Sequence, residues 1–315
     1  MRIVASRTIG RPDEPIQVVA YSPDGSTIVG GGGFINRPGL IRGWDSATLG
    51  VRATFSPTDG AVGMLKILPD GRTLLSAAHL SDGVESWDLG TGERLGRLRI
   101  LPDPYRKSVA GHPLKATHIG AVATSADGAT VALGCWDCTL KVVTWATGEI
   151  VERARPHDGN VDFVAFSRGG SRLLTGTYQK LFEWDADGRK LVRTISCDPS
   201  EHWTHVAIDG GDRVVSIASK GRMLVRDVAD GTFEEYQLRA RKPPACLAYS
   251  PRDGLLAIGQ DSGSAFFWDT RARTMPVRVK LANDTLKSLA FAPDRPAICA
   301  VGGSAPSLVE HEYRT

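Results

Sequence analysis

Residues 161–195 read VDFVAFSRGGSRLLTGTYQKLFEWDADGRKLVRTI, and four short strands can be marked on them directly. VDFVAFS is an apolar run rich in β-branched and aromatic residues, closed by the turn at Gly169-Gly170. RLLTGT is a second run, KLFEWD a third, and KLVRTI follows an Asp-Gly turn. Apolar runs of this length, separated by turn formers at this spacing, predict a four-stranded antiparallel meander.

The same frame recurs on both sides. IQVVAYSPDG starts at Ile16, VGMLKILPDG at Val62, ACLAYSPRDG at Ala245 and LKSLAFAPDR at Leu286. A Trp-Asp pair closes the third strand at Trp44-Asp45, Trp87-Asp88, Trp184-Asp185 and Trp268-Asp269, with Arg226-Asp227 midway between the last two. Aligning WDLGTGE from Trp87 with VTWATGE from Val143 puts Val143, not Trp145, at the tryptophan position. The seven positions become Trp44, Trp87, Val143, Trp184, Arg226, Trp268 and Glu310, with gaps of 43, 56, 41, 42, 42 and 42. A unit of this length cannot bury its apolar face alone, so neighbouring units must stack on it.

The wide gap places an inserted loop at about 101–118, LPDPYRKSVAGHPLKATH, after which the repeat resumes in phase. The seventh unit stops at its third strand, while RIVASRTI at the N-terminus is a spare strand. If residues 3–9 pair as the fourth strand of the last unit, the array closes into a ring without open sheet edges. The reading is all-β, a seven-bladed β-propeller of four-stranded antiparallel blades, with residues 1–315 as one domain.

Composition agrees. The chain has 315 residues with 35 Gly, 18 Pro and 42% hydrophobic residues, enough for a core and many turns. A net charge of +3 is too balanced to imply nucleic acid by itself. The first residues carry no long apolar run, so no signal peptide is expected, and no stretch approaches a membrane span. Cys135, Cys138, Cys197, Cys246 and Cys299 are odd in number and irregularly spaced, which reads as reduced thiols in a cytoplasmic protein.

The four Trp-Asp pairs, the SPDG, LPDG and SADG turns, and the ATGE and GTGE turns resemble the WD-repeat family of β-propellers over essentially the whole chain. The resemblance implies a ring around a central channel that serves as an interaction platform without catalysis of its own. It also implies a hydrogen-bonded set in each blade: a His before the first strand, Ser or Thr in the second, Asp in the next turn, and the Trp. No unit here has all four. The fourth offers His157, Thr175 and Trp184, with Tyr178 where the Asp would be, and the third has Asp137 without the Trp.

Few residues suggest chemistry. Cys135-Trp136-Asp137-Cys138 has zinc or dithiol spacing, yet no second ligand pair accompanies it, so it reads as a turn. Gly30–Gly33 lacks the Lys-Ser/Thr and helix of a phosphate loop, and reads as a bulge, crowding near the channel, or a loop. His202 and His205 flank Trp203; on a strand that spacing sends them to opposite faces unless His202 lies in the preceding loop, and a loop and core role is expected rather than a metal site. Asp24, Asp70, Asp127 and Asp253 serve turns. No catalytic residue, metal site or cofactor is expected.

Non-repeating residues gather on the rim that carries the blade-to-blade loops and the turns between second and third strands. The residues assigned to partner binding are Phe34, Arg37, Tyr105, Arg106, Lys107, Lys115, Trp136, Tyr178, Trp203, Arg239, Arg241 and Lys242. Aromatic and arginine side chains dominate binding hot spots, and the basic ones favour acidic protein segments. The expected function is a non-catalytic protein-interaction scaffold or regulatory sensor, monomeric on its own and without a membrane role. The alternatives are a lactonase- or dehydrogenase-like propeller enzyme with its site at the channel mouth, and a nucleic-acid-binding propeller using the basic rim.

Overall fold

The computed structural model describes residues 1–314 except 12, 35–36, 58–59, 79–80, 82, 101–117, 154–156, 168, 186–187, 189, 209–212, 228–231, 239–242, 274–276 and 304–307. The described residues form seven four-stranded antiparallel sheets. Blade 1 shows the plan, with strands Ile16–Tyr21, Thr27–Gly32, Leu40–Asp45 and Val51–Phe55 in consecutive order. The inserted loop expected at 101–118 falls outside the described residues except for His118.

Burial follows position in the blade. Second strands such as Thr27–Gly32, Leu255–Gln260 and Ala297–Gly302 are buried along their whole length. Their sheets are covered on both faces by adjoining blades, so continuous apolar runs suit them better than alternation. Fourth strands such as Leu191–Ser196 and Phe233–Gln237 are open to solvent, and the latter alternates exposed and half-buried residues. Apolar clusters knit neighbouring blades: Val29, Ile41 and Phe55 of blade 1 pack with Val62, Leu65, Leu74 and Trp87 of blade 2. No helix among the described residues is long and apolar enough to cross a membrane.

The first strands of blades 1 to 7 are Ile16–Tyr21, Val62–Ile67, Ile119–Thr124, Phe163–Phe166, Trp203–Ile208, Pro244–Ser250 and Leu286–Phe291. Each touches the first strand of the next blade, and the seventh touches the first, so they line a closed channel. The closure is as the sequence reading expects. Arg2–Thr8 pairs antiparallel with Leu308–Arg314, and becomes the fourth strand of blade 7.

One position of the repeat moves. Opposite the second strands, Ile28 faces Trp44, Leu74 faces Trp87, Val131 faces Val143, Leu173 faces Trp184, Val214 faces Arg226 and Leu256 faces Trp268. In blade 7 the partner of Ile298 is His311, so His311 rather than Glu310 holds the tryptophan position. The loop entering the third strand of blade 7 is one residue longer than its counterpart in blade 6, which a count at constant period does not reveal.

Of the four glycines, Gly33 adopts a backbone φ of +124°, and the other three are explained by close approach. A Cβ on Gly30 would come within 2.9 Å of the Trp44 ring, one on Gly31 within 2.9 Å of Val62, and one on Gly32 within 1.8 Å of the Pro15 carbonyl. Crowding within blade 1 and against blade 2, not loop flexibility, requires them.

Candidate functional site

The channel mouth is built by a repeated irregularity. First strands slip register between Ile16 and Val18, Val62 and Met64, Ile119 and Ala121, Trp203 and His205, Pro244 and Cys246, and Leu286 and Ser288. Each bulge frees one residue from the ladder and re-aims its side chain. The freed residues are Gln17, Gly63, Gly120, Thr204, Ala245 and Lys287; Asp162, just before Phe163, takes the same place in blade 4.

Asp162 is the one acid in that ring. It is open to solvent, yet the protein surrounding it raises its carboxyl above the usual range, with the bond from Trp136 acting in the other direction. Trp136 Nε1 donates to Asp162 Oδ1 at 3.1 Å. The Trp136 backbone N–H donates to the His118 carbonyl at 2.9 Å, and the two rings meet edge to face at 5.0 Å. Burial lowers the His118 pKa, which favours the neutral ring. Gly120 makes room: a Cβ there would lie 2.6 Å from the Val161 carbonyl and 2.9 Å from Trp136 Nε1.

Tyr178 occupies the equivalent turn of blade 4. Its ring stacks on His202 with centroids 4.1 Å apart and planes 11° apart, and its carbonyl accepts from Trp203 N–H at 3.0 Å. Trp136 and Tyr178 remain 37% and 57% exposed, so two aromatic surfaces are fixed on consecutive blades. Beneath them Ala121, Asp162, Phe163, Val164, Leu174 and Val206 line an open cavity of about 130 Å³ where blades 3, 4 and 5 meet.

Trp203 requires a correction. It is 2% exposed and packs with Leu181, Cys197 and Ala218, so its ring offers no surface to a partner. It starts a first strand where the other blades place Ile16, Val62, Ile119, Pro244 and Leu286, a core position throughout. Phe34 and Arg37 form a separate pair on blade 1, the guanidinium 5.8 Å over a ring that is 57% exposed. Tyr105, Arg106, Lys107, Lys115, Arg239, Arg241 and Lys242 lie outside the described residues. Cys135 is buried and Cys138 sits at a left-handed backbone position in the turn. Among the described residues no group of three or more His, Cys, Asp or Glu could hold a metal ion.

A family model, WD domain, G-beta repeat, matches residues 105–143, which include the first two strands of blade 3 and all but the last residue of its third. The chain is similar to a U3 snoRNP-associated protein-like protein of Arabidopsis thaliana, 29% identical over 47% of this chain and 30% of that protein. It is also similar to Autophagy-related protein 16 of Arabidopsis thaliana, 23% identical over 71% of this chain and 42% of that protein. Protein groucho of Drosophila melanogaster is 25% identical over 58% of this chain and 25% of its own length. The chain is a WD-repeat β-propeller. It spans less than half the length of these curated relatives.

Within this WD-repeat propeller, blade 4 forms the nearest thing to the family's hydrogen-bonded set. His157 Nε2 lies 2.7 Å from Thr175 Oγ1, and Trp184 Nε1 donates to the same oxygen at 2.9 Å. Tyr178, which stands in place of the Asp, is turned outward instead. Blade 2 keeps one link, Trp87 Nε1 to Ser76 Oγ at 2.9 Å, and blade 1 replaces it with Trp44 packed over Gly30. At the blade 5 position Arg226 offers its charge to the buried Glu183 of blade 4, alongside Arg193 Nε at 3.2 Å. The repeat thus departs from its pattern at the tryptophan position in blades 3, 5 and 7, where Val143, Arg226 and His311 stand. The sequence offers a signal for Asp162 only once the bulged positions of all seven blades are aligned.

Proposed function

We propose that this WD-repeat propeller is a non-catalytic protein-interaction scaffold or regulatory module, and that the partner docks on the loop-bearing rim over blades 3 and 4. The observation that carries the reading is the pair of exposed aromatic rings, Trp136 and Tyr178, held by His118 from the segment entering blade 3 and by His202 from the segment entering blade 5. Rings that are already ordered lose little rotamer freedom on binding, which is how a preformed surface gains affinity. Phe34 with Arg37 offers a second contact point on blade 1. Acidic partner segments are favoured by the basic character of the sequence segments that contain Arg106, Lys107, Lys115, Arg239, Arg241 and Lys242, and the reduced cysteines suit a cytoplasmic setting.

An enzymatic reading has Asp162 to offer in the cavity, whose remaining lining residues are apolar apart from Thr175, already engaged with His157 and Trp184. Acid–base work needs a second titratable group in reach. The scaffold reading is the better supported.

The test is affinity purification with mass spectrometry, followed by binding assays on the recovered partner. Trp136→Ala combined with Tyr178→Ala should weaken binding by at least tenfold, since truncating a hot-spot residue costs about 2 kcal/mol or more. Unaltered binding by a folded double variant would refute the rim assignment.

A further inference from the structure

The cavity where blades 3, 4 and 5 meet has its origin in blade 4. The first strand of that blade, Phe163–Phe166, is four residues long, whereas those of the other six blades run to six or seven. It also lacks the register slip that the others share. A shorter, regular strand leaves space between its neighbours, here between Ala121 of blade 3 and Val206 of blade 5. Phe163, Val164, Ala165 and Leu174 complete an apolar lining, and the Thr175 hydroxyl is already engaged by His157 and Trp184. At about 130 Å³ the space is a little smaller than an apolar cavity of roughly 150 Å³ that takes up benzene. It suits a straight stem of about four carbons with one polar end.

Asp162 is the one charged group of this lining. Its Oδ1 accepts from Trp136 Nε1, while among the described residues Oδ2 has no donor and the carboxylate no ion-pair partner. The flanking places of the mouth hold Gly120, which has no side chain, and Thr204, whose hydroxyl donates to the Ile217 carbonyl at 2.9 Å. The nearby histidines bring no charge. Burial lowers the pKa of His118, and holds that of His205, 6.4 Å from Phe163, at about 4. A carboxylate set among apolar groups without a counter-charge is costly, and a cation entering the same space relieves the cost. The hydrogen bond from Trp136 also selects the cation. A guanidinium pairs best with both oxygens of a carboxylate, and one of these is taken, whereas an ammonium is a compact point charge that needs one.

We propose that this cavity is a binding site for a primary alkylammonium group, with the stem along the apolar lining and the ammonium donating to Asp162 Oδ2. A lysine side chain of a docked partner and a free small amine share this chemistry. The inference goes beyond the rim reading and is tested without any partner.

The test uses the full chain with n-butylammonium and, separately, a capped glycine peptide carrying a single central lysine, followed by calorimetry and by NMR of the Asp162 carboxyl. Wild-type protein should bind at least one probe saturably, with the Asp162 pKa falling on saturation as the cation favours the charged form. Saturation by the peptide marks the ligand as a lysine side chain; saturation by n-butylammonium alone marks it as a free amine. n-Butanol, the same stem without the charge, should bind at least about tenfold more weakly, and n-butylguanidinium should also bind more weakly than n-butylammonium. Asp162→Asn keeps an oxygen for Trp136 and removes the charge, so it should keep Tm and weaken binding at least about tenfold. No saturable response of Asp162 to either probe, n-butanol binding as tightly as n-butylammonium, or wild-type affinity in Asp162→Asn would overturn the proposal, whatever the rim variants do to partner binding.

Discussion

Thr175 shows how much a single hydroxyl can organise. Its oxygen meets both His157 and Trp184, and all three side chains are buried. Thr175→Val keeps the shape and removes both bonds, leaving an indole N–H and an imidazole nitrogen without partners. Unsatisfied buried groups cost about 1–3 kcal/mol each, so a loss of about 2–4 kcal/mol is expected in denaturant titration. The same histidine sets a pH dependence. Burial holds its pKa at about 4, below the usual 6.5, so protonation favours the unfolded chain. Stability should therefore be level above pH 6.5, fall as the pH drops from 6.5 toward about 4, and stop changing on this account below that. His205, also held at about 4, acts in the same window. The slope measured by denaturation at several pH values should become shallower in His157→Gln; an unchanged slope would count against burial as its cause.

At the scale of the strand, the repeat was legible because each unit needs the same alternation of apolar runs and turns. The two sites where it was not legible are instructive. Glu310 was expected at the tryptophan position of blade 7, and His311 occupies it, because spacing counted along the chain cannot detect a loop longer by one residue. Trp203 was expected on the rim by its residue type, but its place at the start of a first strand buries it. In both cases register, which is set by hydrogen bonding between strands, decided which side chain faces the core. Bulges carry the same lesson. Asp162 reaches the mouth because the strand start is irregular, and Trp136 reaches Asp162 because Gly120 has no side chain. Gly120→Ala should displace the Trp136 ring, changing its fluorescence and reducing partner binding while the blades remain folded. An unchanged spectrum would mean that the contact at Gly120 does not position the ring.

Closure belongs to the whole molecule. The pairing of Arg2–Thr8 with Leu308–Arg314 joins the two ends of the sequence, and Glu310 reinforces it from a buried position. Its carboxylate accepts from Arg7 Nε at 3.1 Å on the closing strand, from Arg295 Nη2 at 2.5 Å in blade 7, and from the Tyr21 hydroxyl at 2.5 Å in blade 1. One anion therefore ties the first strand, the last blade and the first blade together. Glu310→Ala leaves two guanidinium groups without their shared partner and should cost about 3–5 kcal/mol. Deleting residues 1–10 removes the closing strand and Arg7 together, and should lower Tm by more than Glu310→Ala does. Thermal unfolding of both variants checks this, and an unchanged Tm in the truncation would show that closure does not stabilise the ring.

The repeat period, the four-strand meander and the spare N-terminal strand were determined by the sequence alone, since they follow from local alternation and turn chemistry. Tertiary structure decided which rare residues matter. Asp162 and Glu310 lie on different blades and acquire meaning only when seven first strands converge on one axis and the ends meet. A local pattern specifies an element, whereas the environment of a charge depends on neighbours that are distant along the chain.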